Sequence, residues 1–138
     1  METDLESVVR ASDALITATA SREPLIKGKW LHAGQHITAV GADDPTKCEL
    51  DAECLRRADR LIADSIETTR KNGDVFRHLS QRTIQLEQIH GELGSVLYGA
   101  VEGRRTESEI TIAKLVGLGV QDLAAAEVSL TRLGLRAA

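Results

Sequence analysis

Short strand-like stretches alternate with helical segments along the whole chain. Each stretch is apolar or β-branched and ends at glycine, small or polar residues, which is typical of β-strands. Four strands are predicted, over residues 14–19, 37–40, 60–65 and 109–116. Helices are predicted over residues 4–11, 51–58, 74–79, 87–97 and 120–133. Because strands joined by helical crossovers form parallel sheets, the sequence predicts an α/β fold with a parallel sheet.

The first predicted strand, residues 14–19, is a continuous apolar run, which indicates burial on both faces of the sheet. A connector marked by Pro24 and Gly28 follows, and Trp30 and Leu31 are expected to pack it against the core. Only four strands are recognised, and the chain starts almost on one of them. The sequence therefore predicts part of a doubly wound sheet.

The loop after the second strand carries two adjacent carboxylates. The strand breaks at Gly41, and Asp43 and Asp44 follow, ahead of Pro45. Ligands of open α/β sheets bind outside the carboxyl ends of the strands, so this loop is a candidate site. Asp beside Gly and Pro is also common in solvated turns. Residue types alone favour the solvated turn and leave a functional carboxylate as the alternative.

The composition argues against nucleic acid and membrane partners. Aromatic residues are 2% of the 138 residues, too few for base-stacking platforms, and the net charge is −4. No apolar run approaches the roughly 20 residues that a membrane span needs. The acidic start METDLESVV does not resemble a signal peptide. We expect a cytoplasmic protein whose partner is a small molecule.

The cysteines and histidines do not show metal-ligand spacing. Cys48 and Cys54 form no CxxC pair, and the histidines at 32, 36, 78 and 90 show no HxxxH pattern. We therefore expect no metal site. Two buried, unreactive thiols in a reducing compartment are the simpler expectation.

Four stretches, in order and over nearly the whole chain, carry a family resemblance. They read ALITATASREPLIKGKWLHAGQHITAVGADDPTKCEL, RADRLIADS, HGELGSVLYG and GRRTESEITIAKLVGLGVQDLAAAEV. The chain resembles the C-terminal half of the ornithine cyclodeaminase/mu-crystallin family. The resemblance implies NAD(P)-dependent enzymes of amino-acid metabolism that act on amino and imino acids.

The resemblance implies that residues 1–138 are the C-terminal portion of a Rossmann NAD(P)-binding domain, with a closing helix. NAD is the expected cofactor, with NADP possible. The cofactor-binding residues that it implies lie at three strand ends: Thr17, Ala18, Thr19 and Ser21, then Val40 and Gly41, then Gly117 and Leu118.

Two parts of the family pattern have no counterpart. The glycine-rich GxGxxG turn that holds the pyrophosphate is absent. The nearest stretch begins at residues 117–120, where Gly117 and Gly119 match the first two glycines, but Asp122 stands at the third glycine position. The substrate-domain Lys and Arg that hold the amino acid are also absent. We expect a fragment, a truncated gene product or a split subunit. Its partner would be the missing N-terminal substrate and dimerisation domain or a second copy.

Asp43 occupies the position of the family's catalytic acid. The cyclodeaminase pattern GGDxPGKxEL corresponds to residues 41–50, GADDPTKCEL. The resemblance thus implies an ornithine cyclodeaminase-like lyase that converts a diamino acid to a cyclic imino acid and ammonia. A ketimine or pyrroline-carboxylate reductase, an alanine-type dehydrogenase and an inactive remnant are the alternatives.

The other charged residues near these motifs have simpler interpretations. Asp44 is expected to be solvated or a cap, Lys47 a surface charge and Glu49 an acid in the first turn of a helix. Arg104 and Arg105 are expected to lie in a solvated loop over residues 99–108.

Overall fold

A computed structural model describes residues 4–135; residues 1–3 and 136–138 of the predicted domain lie outside it. The helices are α1 (Leu5–Ala11), α2 (Ala52–Arg57), α3 (Ile66–Thr69), α4 (Gly73–Ser80), α5 (Leu93–Leu97) and α6 (Gly119–Arg132). The strands are β1 (Ala14–Thr17), β2 (His36–Ala39), β3 (Arg60–Ala63), β4 (Gly91–Glu92) and β5 (Thr111–Lys114). Short 3₁₀ turns cover Gly28–Trp30 and Leu86–Gln88.

The five strands form one parallel sheet in the order β1-β2-β5-β3-β4. Every connection between parallel neighbours is a crossover, as expected for strands alternating with helices. The α/β prediction, with part of a doubly wound parallel sheet, is confirmed, and the four predicted strands are present.

The predicted helix over residues 87–97 is wrong in its first half. Gly91 and Glu92 pair with Ile62 and Ala63 of β3 and form the fifth strand. His90 continues this pairing, because its N–H donates to Leu61 O at 2.8 Å. The extended backbone at Gly91 prevents one continuous helix, so α5 begins only at Leu93.

One face of the sheet carries the core. Ile37, Leu61 and Ile112 point to this face and pack with side chains from the helices and from the connector after β1. Trp30 and Leu31 are buried, as predicted. Apolar alternation along the short strands accounts for the one-sided core.

The other face is incompletely covered. Ile16 of β1 is 77% exposed, so the prediction that this strand is buried on both faces is wrong for the chain described here. A cavity of about 290 Å³ lies between this face and α5. The closing helix α6 contains no buried residue, although Val120, Leu123 and Leu130 are apolar.

Both cysteines are free and buried, as predicted. Burial raises the pKa of the Cys48 thiol to about 12 and raises the pKa of Cys54 as well. Within residues 4–135, no cluster of three His, Cys, Asp or Glu side chains is placed to hold a metal ion. No helix in this part of the chain is long and apolar enough to cross a membrane.

Candidate active site

The register of the sheet brings the predicted site segments to one end. Thr17, Ala39, Lys114 and Ala63 lie side by side in β1, β2, β5 and β3. We call the segments that follow these residues, 18–21, 40–44, 64–65 and 115–119, the carboxyl end of the sheet. Ligand sites of parallel sheets form here, because all the strands end on the same side.

The ends of β1 and β2 are in direct contact. Val40 and Gly41 both donate their N–H groups to Thr17 O, at 2.8 and 3.1 Å. A β-carbon at Gly41 would collide with the backbone of Thr19. Only glycine therefore allows these two predicted cofactor-binding segments to approach this closely.

The three polar side chains predicted in the first segment all make internal hydrogen bonds, with Thr19 Oγ1 accepting from Ser21 N at 3.2 Å. The Thr17 hydroxyl is buried and donates to Glu49 Oε2 at 2.7 Å. Ser21 Oγ donates to Glu23 O at 2.6 Å. Ala18 and Thr19 lie between them with exposed side chains, so the small residues face the open side of this segment.

Glu49 is fully buried, so its interpretation as a first-turn helix acid is wrong. It precedes α2, which is capped instead by Asp51, whose Oδ1 accepts from Cys54 N at 2.9 Å. The Glu49 carboxylate accepts from Thr19 N at 2.6 Å and from Gly41 N at 3.0 Å. A buried carboxylate thus joins the ends of β1 and β2.

A buried ion pair supports the loop that holds Asp43. Lys114 Nζ lies 3.1 Å from Asp74 Oδ2 and donates to Ala42 O at 2.7 Å. Asp74 Oδ1 accepts from the backbone N–H groups of Glu49 and Leu50, at 2.6 and 2.8 Å. The loop after β2 is therefore fixed at both of its ends.

Asp64 fixes the third predicted cofactor segment. This buried carboxylate follows β3, and its Oδ2 accepts from Val116 N and Gly117 N at 2.8 and 2.7 Å. Gly117 has φ +90° and no atom within 4 Å of the place of a β-carbon. Gly117 and Leu118 thus lie at the carboxyl end of the sheet, with open space beside the glycine.

Asp43 lies on the exposed side of the loop after β2. Its side chain is 51% exposed, and its Oδ1 accepts from Lys47 Nζ at 2.6 Å. This hydrogen bond from the Lys47 ammonium holds the pKa of Asp43 below its usual value, so the carboxyl is ionised at neutral pH. Lys47 is therefore the specific partner of Asp43, which the surface-charge interpretation did not anticipate.

Asp44 is a turn cap, one of the two roles predicted for it. Its Oδ1 accepts from Thr46 N at 2.6 Å, Thr46 Oγ1 at 2.7 Å and Lys47 N at 3.1 Å. These hydrogen bonds, chiefly those from Thr46, lower the pKa of Asp44. The two adjacent acids thus have different environments, since Lys47 Nζ lies 2.6 Å from Asp43 Oδ1 but 3.8 Å from Asp44 Oδ2.

Arg104 lies at the opposite end of the sheet from the site. It lies in an exposed loop, as predicted, and its guanidinium also donates to Glu109 O at 2.8 Å and Thr111 Oγ1 at 2.9 Å. Arg105 pairs with Glu109 at 2.7 Å. Both arginines bind the start of β5 and hold the amino ends of the strands.

The four residues that sequence reasoning missed are the buried charges Glu49, Asp64, Asp74 and Lys114. One of them left a readable signal. Lys114 is two residues after Ile112 in β5, so both side chains lie on the same face, and a charged side chain falls on the core face of a predicted strand. Such a residue requires a buried partner.

The carboxyl end of the sheet presents small side chains and open backbone. Ala18, Thr19, Val40 and Gly117 present small or backbone surface there, which admits a flat ring. The glycine-rich turn that would hold a pyrophosphate is absent from the sequence. The residues that could hold a cofactor ring are therefore those at this end of the sheet, and the sequence supplies no glycine-rich turn for a pyrophosphate.

A parallel sheet with ordered loops at its carboxyl end is the class of structure found in nucleotide-binding α/β proteins. The family model of the ornithine cyclodeaminase/mu-crystallin family matches residues 2–133, and the chain belongs to this family. Members of the family are NAD(P)-dependent enzymes, among them dehydrogenases, reductases and cyclodeaminases.

Two similar proteins illustrate the range of the family. Alanine dehydrogenase of Archaeoglobus fulgidus is 40% identical over 116 residues, which are 84% of this chain and 36% of that protein. An uncharacterised cyclodeaminase of Sinorhizobium fredii is 39% identical over 98% of this chain and 41% of its own length.

A solved structure gives the three-dimensional comparison. Δ1-pyrroline-2-carboxylate reductase of Thermococcus litoralis, in complex with NADH and L-proline, is 33% identical with a TM-score of 0.89. The match covers 97% of this chain and 42% of that one. The chain thus spans about 40% of the length of these relatives.

Proposed function

We propose that this chain is the nicotinamide-binding and acid–base portion of an NAD-dependent amino-acid cyclodeaminase. NAD is the proposed cofactor, and residues 1–138 are proposed to be the second half of its binding domain. A segment equivalent to the remaining part of the relatives would provide the pyrophosphate site and the substrate domain. The observation that carries the proposal is the ionised, exposed Asp43 beside the ends of β1 and β2.

The reaction needs a base at the substrate's α-amino group. NAD⁺, when bound, supplies the hydride acceptor at the substrate Cα and returns the hydride at the end of the cycle. Asp43 is ionised and can accept a proton from the α-ammonium group. Lys47 holds that carboxylate in place, and the buried Lys114 fixes the preceding residue, Ala42.

The proposed overall reaction is redox-neutral. The α-amino carbon is first oxidised to an imine, and the distal amine then adds to that carbon. Ammonia leaves and a cyclic imine forms, which the same cofactor reduces to the cyclic imino acid. A diamino acid such as ornithine gives proline and ammonia, and the cofactor ends in its starting form.

A single-step oxidoreductase is the second candidate. Two of the relatives are named as an alanine dehydrogenase and a pyrroline-2-carboxylate reductase. These reactions change the cofactor in proportion to the product, whereas a cyclodeaminase needs only a catalytic amount of NAD. Cofactor stoichiometry therefore separates the two candidates.

The test uses a complete enzyme, made by joining this chain to the part of the uncharacterised Sinorhizobium fredii protein outside the match, so that the substrate domain does not come from an alanine dehydrogenase. Ammonia, proline and NADH are measured with ornithine and a small amount of NAD⁺. Many equivalents of ammonia and proline per NAD⁺, without NADH accumulation, support the cyclodeaminase. NADH formed from alanine, or consumed with a cyclic imine, supports the oxidoreductase instead. No turnover with any of these substrates would contradict both and favour the inactive remnant.

A further inference from the structure

Glu49 makes three hydrogen bonds to two strand ends. Oε2 accepts from the Thr17 hydroxyl at 2.7 Å and from Gly41 N at 3.0 Å, while Oε1 accepts from Thr19 N at 2.6 Å. The residue has no exposed surface. Three donors therefore converge on one carboxylate beneath the carboxyl end of the sheet.

The backbone of Glu49 is itself immobilised. Its N–H donates to Asp74 Oδ1 at 2.6 Å, and its carbonyl accepts from Leu25 N and Ile26 N at 2.8 and 2.9 Å. A side chain on so well anchored a backbone has a fixed starting point. The carboxylate can therefore set the positions of the groups that it binds.

The groups that Glu49 binds belong to the segments proposed to face the cofactor. Thr17 is the last residue of β1, Thr19 lies in the segment after it, and Gly41 lies in the segment after β2. The side chain of Glu49 lies beneath these segments and is not exposed toward a ligand. Its effect on a ligand must be indirect.

We propose that Glu49 is a positioning residue that fixes the backbone N–H groups of Thr19 and Gly41 and so shapes the nicotinamide end of the cofactor site. The inference rests on the proposed function for the identity of the ligand. The fixed backbone geometry is independent of that function.

A carboxylate is suited to this place because it offers only acceptors. All three partners are donors, two backbone N–H groups and one hydroxyl. Glutamine has nearly the same shape, but its NH₂ group would face at least one donor. Glu49→Gln thus removes a hydrogen bond and leaves the volume of the core unchanged.

The first experiment measures amide hydrogen exchange by NMR on the 138-residue chain. In Glu49→Gln we expect exchange to accelerate at least about tenfold at Thr19 or Gly41, whichever faces the new NH₂ group, as for the loss of one charged hydrogen bond. Exchange at Ile112, in the middle of β5, should not change. Unchanged rates at Thr19 and Gly41 in a folded variant would overturn the proposal.

Glu109→Gln is the matched control. Glu109 is also buried and accepts from Arg105 N at 2.7 Å, but at the opposite end of the sheet. The Glu109→Gln substitution should leave the amide exchange rates of Thr19 and Gly41 unchanged. If Glu49→Gln does not fold, Glu49→Asp is the second variant. It keeps the acceptors on a shorter side chain, and the same local acceleration is expected.

The second experiment measures nucleotide affinity in the complete enzyme described above. In Glu49→Gln we expect the Kd for NADH to rise roughly tenfold, and the Kd for ADP-ribose, which lacks nicotinamide, to stay within about twofold. Equal weakening of both nucleotides would overturn the positioning role. If the unsubstituted enzyme binds neither nucleotide, the proposed function fails, and the exchange rates alone decide the role of Glu49.

Discussion

Lys114 and Asp74 form an ion pair of 3.1 Å in which both side chains are completely buried. Lys114 comes from the last residue of β5 and Asp74 from the first turn of α4. Among residues 4–135, Asp74 Oδ2 makes no aligned hydrogen bond, and the Lys114 ammonium is its charged neighbour. The pair joins the sheet to the helix directly behind the loop that holds Asp43.

Lys114→Met should strongly destabilise the protein. Met is unbranched and only one atom shorter than Lys, but it leaves Asp74 as a buried charge without a counterion, which costs about 3–5 kcal/mol in free energy of unfolding. Urea denaturation of the purified chain would measure this loss. Lys71→Met is the control, because its pair with Glu67 is exposed and contributes at most about 1 kcal/mol. A loss below about 1 kcal/mol for Lys114→Met would contradict a stabilising role for the buried pair.

Local sequence patterns predicted most of the fold. The four longer strands and the helices α1, α2, α4 and α6 each contain enough residues to show a period or a cap. Strand β4 has two residues, Gly91 and Glu92, which is too short for any alternation. Its pairing with β3 depends on a crossover that no local pattern shows.

The site was predictable where it lies in one continuous motif. Asp43, Asp44 and Lys47 are neighbours in the chain, and the family resemblance drew attention to their loop. Glu49 was misinterpreted because its partners Thr17 and Thr19 are about 30 residues away, and a Glu just before a helix is typical of a first-turn acid. Burial and long-range partners decide the role of such a residue, and neither can be read from the local sequence.

The 138-residue chain alone should bind NAD(H) weakly or not at all. The residues proposed for the cofactor would contact only its nicotinamide end, and the glycine-rich turn and helix N-terminus that bind pyrophosphate are absent from the sequence. Isothermal titration with NADH measures the affinity, with the complete enzyme as the control. A micromolar or tighter dissociation constant for the chain alone would show that the pyrophosphate cradle is dispensable.

The chain should self-associate when it is purified alone. Strand β1 is at the edge of the sheet with Ile16 77% exposed, and α6 exposes Val120, Leu123 and Val128. An unpaired strand edge and exposed apolar side chains both favour association. Sedimentation velocity should show dimers or larger species at tens of micromolar, and Leu123→Glu should shift them toward monomer. A stable monomer of the unsubstituted chain under these conditions would contradict the prediction.

Asp43→Asn should lower turnover of the complete enzyme by about 100- to 10,000-fold, because general acid–base groups contribute within that range. Asparagine keeps the shape of the side chain and removes the proton acceptor. Steady-state release of ammonia from ornithine measures the effect, and nucleotide affinity should barely change. Asp44→Asn is the matched control. Its Oδ1 can still accept from Thr46 and Lys47, so turnover should stay within a few-fold of the unsubstituted enzyme.

The pH dependence of kcat/KM is a second test of Asp43 as the acid–base group. The Lys47 hydrogen bond lowers the pKa of Asp43 below 3.8, so the carboxylate form is present at every pH above that value and is lost only as the pH falls below it. Asp43 therefore should not produce a fall in kcat/KM between pH 5 and 7. Lys47→Met should bring the pKa of Asp43 back toward 3.8, which still leaves that range unaffected. Full turnover in Asp43→Asn, or a larger loss in Asp44→Asn, would show that the loop is wrongly aligned with the cyclodeaminase pattern.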